Sequence, residues 1–271
     1  MSLNARQTRT IIGLIGPAYA WLALTIFLPL AAMLYFSFLT VTPIGGRVAE
    51  FTIANYTDFF TKHIYWYNAW RSFELGLYVT GLCLLIGYPA AFFLAKRIKG
   101  RAREAIFLLI ILPFWSNALV RTFSWTMVLR EPVGLLFTYP AIVIGLVHAY
   151  LPYAILTIFV SLQAIDDRLI EAAESLGASR RQTFTRVVLP LSMPGVLSAV
   201  FLIFVPVIGS FMEPRILGGT QSIMLGPIIE GQFITAFNWP LGSALSFVML
   251  AIVLLILLAS APVLRRYVRP A

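Results

Sequence analysis

The ionisable and nucleophilic side chains of this sequence exclude more chemistry than they allow. Hydrolysis inside a membrane needs paired aspartates within spans, a serine with its base, or a His-Glu metal motif, and none of these patterns occurs. Asp166 and Asp167 are adjacent but stand at the edge of a polar stretch, where capping a helix is the better use for an aspartate. The two histidines, His63 and His148, are too few for a usual zinc site, and the single cysteine, Cys83, rules out an intrachain disulfide framework and any CxxC site. No G-x-x-x-x-G-K-[ST] phosphate loop is present, so the chain cannot be its own ATPase by that route, and no catalytic or cofactor site is expected on it.

What remains is a small set of charged and aromatic residues in or beside apolar sequence. A charge held at membrane depth is expensive, which makes it a default candidate for a solute path. Arg121, Glu74, Glu213, Arg215 and Glu230 meet that description. Arg121 has an equally good structural reading, as an arginine paired to a carbonyl or a glutamate. Glu213 and Arg215 serve either as a gate pair or as solute contacts. Trp125 and Trp239 either stack on a ligand or sit in the aromatic belt at the headgroup level, and the belt is favoured. His148 fits a hydrogen bond between helices better than a proton relay.

These residues are positioned by apolar helices. The chain is 60% hydrophobic and only 11% charged over 271 residues, far from the soluble average of roughly 25% charged. The composition predicts an all-α polytopic membrane protein, organised as one transmembrane domain over residues 1–271 without a separate soluble domain. The expected spans are 11–39, 72–94, 105–129, 140–162, 193–211 and 241–264. The connector 40–71 contains Gly45-Gly46 and the aromatics Tyr65, Trp66, Tyr67 and Trp70, which suit an interfacial helix. Pro113 should kink the third span or open it toward a cavity. Ser192 can cap the fifth span, with Pro194 in its first turn, and Pro206 and Gly209 interrupt that span and offer a hinge or gate.

The net charge of +9 has no extended basic face that would suit nucleic acid; it lies in short flanks beside the spans, where lipid headgroups account for it. Placing both termini in the cytoplasm puts Arg6, Arg9, Lys96, Arg97, Lys99, Arg101, Arg103, Arg168, Arg180, Arg181, Arg186, Arg265, Arg266 and Arg269 on that side, fourteen of the 20 basic residues. The positive-inside rule then fixes the orientation.

One polar island, residues 163–190, interrupts this greasy sequence. Asp166 or Asp167 can N-cap a short helix on which Leu169, Ala172, Ala173 and Leu176 share a face, and Gly177 supplies a left-handed stop. Ser179 and Gln182 fit a capping box that opens a second short helix. A helix of about nine residues is marginal in water alone, so a partner should clamp it, and the small Ala172-Ala173 face suits one that comes close.

Glu171-Ala172-Ala173, Gly177 four residues on, nine further residues to Val187, and the closing Leu189-Pro190 resemble the EAA loop of ABC-importer permeases, the binding-protein-dependent inner-membrane components. The family pattern prefers Ile where Val187 stands. The run Pro113 to Phe123, and Leu217-Gly218-Gly219 followed by Gln232-Phe233 and Asn238 to Ala244, are similar to the spermidine/putrescine PotB/PotH-type group, with a shorter connector between Arg130 and Pro140 than that group has. The resemblance implies the type I importer permease fold and a coupling helix that docks on a separate cytoplasmic ATPase. Glu171 would make a polar contact there, Ala172, Ala173 and Gly177 would give close packing and a turn, and Leu189-Pro190 would close the loop. It implies as partners a second permease, two copies of the ATPase carrying ATP and Mg, and an extracytoplasmic substrate-binding protein, in a bacterial inner membrane. The solute stays open among polyamines, other amine-bearing or amino-acid-derived compounds, phosphonates and opines. The rival reading is an ATP-independent carrier or channel, against which the island speaks, since a pore without an ATPase has no use for it.

Overall fold

The computed structural model describes residues 5–43, 48–221 and 223–268, so Gly45, Gly46 and Arg269 lie outside the described residues. Every extended element among the described residues is helical, apart from an isolated bridge between Leu39 and Phe51. Helix α1 spans Ala5–Ser37, α2 Ala54–Thr61 and α3 His63–Lys96. The aromatic cluster therefore does not form an interfacial helix of its own: Tyr65, Trp66, Tyr67 and Trp70 occupy the first turns of α3, a continuous 34-residue helix. At 1.5 Å per residue such a helix is about 50 Å long, well beyond the ~30 Å hydrocarbon layer, so its first turns reach headgroup depth without a separate element.

The third span is not one helix. Helix α4, Gly100–Ile111, passes through a 3-10 turn at Leu112–Trp115 and gives way to α5, Ala118–Val128. The two arms bend by 96°. Pro113 has no amide proton and its ring disfavours a preceding helical turn. Ser116 then adopts an extended conformation, and Asn117 restarts the helix by accepting from the Leu119 amide at 2.8 Å.

Helix α6, Tyr139–Gln163, is followed by α7, Asp167–Ser175, and α8, Arg180–Thr183. A π turn, Phe184–Val188, joins α8 to α9, Leu189–Ile208, so that Arg180–Ile208 runs as one 29-residue apolar span. Ser192 does not cap it. Its side chain is buried within the helix and bonds the Leu189 carbonyl at 3.0 Å and the Tyr88 hydroxyl at 2.9 Å. Pro190 is likewise inside the helix rather than closing a loop. In a regular α-helix its ring would press on the carbonyl four residues back, at Arg186. The widened turn before it relieves that clash, with the Leu189 amide reaching back to Phe184. Pro206 does not interrupt α9, which continues to Ile208 and stops at Gly209. The chain then forms α10, Met212–Leu217, a 3-10 turn at Gly219–Gln221, α11, Leu225–Ile234, and α12, Trp239–Val268.

Among the described residues five helices are long and apolar enough to cross a membrane, or six when the bent α4–α5 pair is one span. The chain falls into two compact units, one of residues 1–63 with 229–250, the other of 64–228 with 251–271. In the smaller unit, Asn55 Nδ2 donates to the carbonyls of Ser37 and Leu39, and Thr42 Oγ1 donates to the Phe237 carbonyl. In the larger unit, Leu75, Val79 and Leu94 of α3, Ile142, Leu146, Ile158 and Leu162 of α6, and Ile203 and Val207 of α9 form the core. Helices α6 and α9 approach closely because position 195 is glycine. A Cβ there would lie 2.4 Å from Ser161 Cβ and 2.7 Å from the Thr157 carbonyl. Such small-residue contacts are how apolar helices gain packing where lipid offers no hydrophobic drive.

Candidate functional site

The polar island is an exposed helix with both ends closed by its own residues. Asp166 Oδ1 accepts from the Arg168 amide at 3.0 Å, capping α7. At the other end Gly177 has φ +85°, and its amide bonds the Glu174 carbonyl at 3.0 Å. The Ala178 amide bonds the Ala173 carbonyl, also at 3.0 Å, which completes a Schellman stop. Two residues later Ser179 and Gln182 make both halves of a capping box. None of α7 is buried. Leu169 is 49% exposed and Leu176 89% exposed, so most of the apolar face that the spacing sets up is turned to solvent, with Ala173 half-buried beside the π turn.

Two grooves flank α7. Ala173, Leu176, Gly177, Ala178, Arg186 and Val187 line one of about 410 Å³. Glu171 and Glu174 line the other, of about 480 Å³, opposite Arg97 and Arg180. The helix thus presents small and apolar groups to one side and acids to the other. Its first turn is tied to α3: Lys96 Nζ donates to Asp167 Oδ1 at 2.6 Å and to the Ile165 carbonyl at 2.7 Å. The hydrogen bond from Lys96 holds the Asp167 carboxyl below the usual carboxylate range. Sequence reasoning took Lys96 for one headgroup anchor among five; nothing local marks it as different, because its partners lie about 70 residues on.

A second group of expected residues meets around the α4–α5 bend. Arg121 Nη1 donates to the Pro113 carbonyl at 3.2 Å, which also accepts from Ser116 Oγ at 2.8 Å. The arginine thus braces the bend and is paired to a carbonyl, as one of its two readings required. Trp125 Nε1 donates to His148 Nδ1 at 3.1 Å, the interhelical bond expected of that histidine. Both lie with Arg121 on a hollow of about 320 Å³. Arg121 also lines a neighbouring hollow of about 330 Å³ with Tyr150, Tyr153, Gly209, Ser210 and Glu213. Glu213 accepts from Ser210 Oγ at 2.5 Å. Tyr150 and Tyr153 were missed; their signal is a pair of polar-tipped aromatics three residues apart on an apolar helix, one on each side of Pro152.

Of the other expected residues, only Gly209 reaches these hollows. Pro206 lies in the last turn of α9 and Gly209 is its C-cap. Arg215 is exposed on α10, and Glu74 is half-buried on α3. Glu230 on α11 and Trp239 at the start of α12 belong to the smaller unit. There the Trp239 ring meets Phe36 edge-on at 5.8 Å, and its amide bonds Thr42 Oγ1 at 3.2 Å.

Apolar spans, small-residue packing between them and one solvent-facing, capped helix define a polytopic membrane protein that carries a short amphipathic helix outside its spans. The chain belongs to the binding-protein-dependent transport system inner membrane component family, whose pattern matches residues 87–271. It is 36% identical over 244 residues to the spermidine/putrescine transport system permease protein PotB of Haemophilus influenzae, covering 84% of this chain and 85% of that one. With the PotB protein of Escherichia coli it shares 34% over 254 residues, 88% of this chain and 92% of the relative. A permease of a bacterial alginate ABC importer has the same fold, with a TM-score of 0.73 at 15% identity over 97% of this chain and 98% of that one. The MetNI methionine transporter matches with a TM-score of 0.62 at 21% identity, over 76% and 97% of the two chains. The chain is therefore a multi-pass inner-membrane permease subunit of an ABC importer, and the ATP-independent carrier or channel is set aside.

Proposed function

We propose that this chain forms half of the translocation pathway for a polyamine or a related amine. Coupling runs through α7, which docks by Leu169, Ala172, Ala173, Leu176 and Gly177 against a separate cytoplasmic ATPase, with Glu171 as a polar contact. The observation that carries this is the largely exposed apolar face of α7, on a helix capped at both ends. A nine-residue helix gains little from its own hydrogen bonds and is best explained by a partner. Both termini and the island are cytoplasmic by the distribution of Lys and Arg. The other components are a second permease, two copies of the ATPase that binds ATP and Mg, and a substrate-binding protein on the outer side. The alginate importer that shares this fold was solved with a substrate-bound periplasmic protein.

The amine assignment rests on the likeness to the two PotB proteins and on the hollow beside Glu213. A carboxylate with the Tyr150 and Tyr153 rings beside it suits an ammonium, which takes charge from one and the negative ring face from the others. Arg121 lines the same hollow, with its Nη1 donating to the Pro113 carbonyl. Arg215, Glu230, Trp125 and Trp239 are assigned to the remainder of the path or its gate, and the α9 terminus at Pro206 and Gly209 to the hinge. ATP-driven closure of the ATPases shifts α7 and thereby exchanges inward-open and outward-open states.

The test is purification of the tagged chain in mild detergent from cells expressing its neighbouring components. The eluate is assayed for ATP hydrolysis with binding protein loaded with spermidine, putrescine or neither. Hydrolysis stimulated by one loaded form is expected; a solitary chain without nucleotide hydrolysis would overturn the assignment.

A further inference from the structure

Lys96 stands apart from the basic residues around it. Arg97, Lys99 and Arg101 are exposed, as headgroup anchors should be. The Lys96 side chain is only 9% exposed and two of its three ammonium protons are committed, at 2.6 Å to Asp167 and 2.7 Å to the Ile165 carbonyl. An ammonium withdrawn from water needs such partners. Lys96 closes α3, Ile165 lies just past the end of α6, and Asp167 opens α7. One side chain therefore ties the start of the solvent-facing helix to two membrane helices. The joint is stiff on its apolar side as well: Ile165 is 7% exposed, and Leu94 and Leu162 beside it are buried in the core. At the other end of α7, Leu176 and Gly177 are exposed, and nothing lies within 4 Å of where a Gly177 Cβ would stand. Motion imposed on α7 thus has a side-chain attachment to α3 and α6 at its first turn, besides the chain connection through α8 to α9 at its last.

We propose that Lys96 is a positioning residue for energy coupling, a strut through which displacement of α7 is delivered to α3 and α6 together. It touches neither solute nor nucleotide. Its removal leaves α7 capped by Asp166 and Gly177, so the ATPase still docks, but the stroke is lost at the joint. This rests on α7 being the coupling element.

The experiment uses the complete importer in proteoliposomes and reads solute taken up per ATP hydrolysed, together with ATPase co-purification. For Lys96→Met we expect co-purification and hydrolysis to persist while uptake per ATP falls about tenfold, within the usual range for residues that carry coupling. Lys96→Arg, which keeps a cation at the joint, should retain most of the ratio. Asp167→Asn, which leaves the Ile165 carbonyl contact, should lower it by a factor of about 3. An unchanged ratio in Lys96→Met overturns the strut; should that variant not insert, an unchanged ratio in Asp167→Asn overturns it. Failure of the wild-type chain to bring down any ATPase would instead count against the docking role of α7, so the two failures are distinguishable.

Discussion

Substitution of Gly177 separates the two jobs that the end of α7 performs. Its φ of +85° is a conformation that an L side chain enters at a cost of roughly 1–2 kcal/mol. Gly177→Ala therefore shifts the population of the properly stopped helix by a factor of about 5 to 30, and weakens the two amide bonds to Glu174 and Ala173 that depend on it. Apart from Gly177 and its two chain neighbours, no atom of this chain lies within 4 Å of the added Cβ, so the cost within the chain is that of the local backbone. Asn and Asp tolerate the left-handed region better than Ala and differ from each other by charge alone. If α7 docks on a partner at this end, Gly177→Asn should impair uptake partially and Gly177→Asp should abolish it, with normal amounts of both in the membrane fraction. The same holds for a bulky residue at Ala173, which lines the groove beside it. The assay is uptake of labelled solute into whole cells, normalised to inserted protein by immunoblot. Wild-type uptake by Gly177→Asp would refute the docking assignment.

Gly195→Ala should lower the melting temperature in detergent by several degrees, because its Cβ would meet Ser161 Cβ at 2.4 Å and the Thr157 carbonyl at 2.7 Å, and overpacking of this kind costs about 1–3 kcal/mol. An unchanged melting curve would show that α6 and α9 part without cost. Glu213→Gln should reduce uptake of a cationic solute by about tenfold with ATPase co-purification unaffected, since a charge-assisted bond to an ammonium becomes a neutral one; equal uptake would remove Glu213 from the path. Acidification tests the Asp167 contact. Its carboxyl lies below the ordinary value when folded, so the contact with Lys96 is fully present above pH ~4 and is lost as pH falls through the depressed value. Hydrogen exchange of the amides at the start of α7 should therefore be flat, after correction for intrinsic rates, from pH 8 to about 5 and should quicken only below ~4. Loosening between pH 7 and 5 would refute it.

The island was legible in the sequence because every device that shapes it is local. Asp166 bonds an amide two residues on, Gly177 and Ala178 bond carbonyls of the turn they end, and Ser179 with Gln182 closes on itself. Such contacts follow from residue type and spacing alone. The bend of the third span was half legible: Pro113 marks where an α-helix must yield, but the 96° angle depends on Ser116 turning extended and Asn117 capping afresh. Boundaries at Ser192 and Pro190 were misplaced for a related reason. A serine before a proline looks like a cap only until a hydroxyl 104 residues away, that of Tyr88, supplies it with a reason to be buried.

The pathway residues mark where sequence reasoning stops. Each charge near a span was suspect by its cost alone, and cost does not say which of them meet. Arg121 and Glu213 come to one hollow because α10 folds back beside α5 and α6, whereas Glu230 and Trp239 are built into another unit. Lys96 shows the same limit from the other side, since its type and position are those of an ordinary membrane anchor and only its burial reveals the strut. In this chain the groups that tune themselves are written locally, and those that transmit between helices are written in pairs far apart. A device for moving helices relative to one another has to be of the second kind.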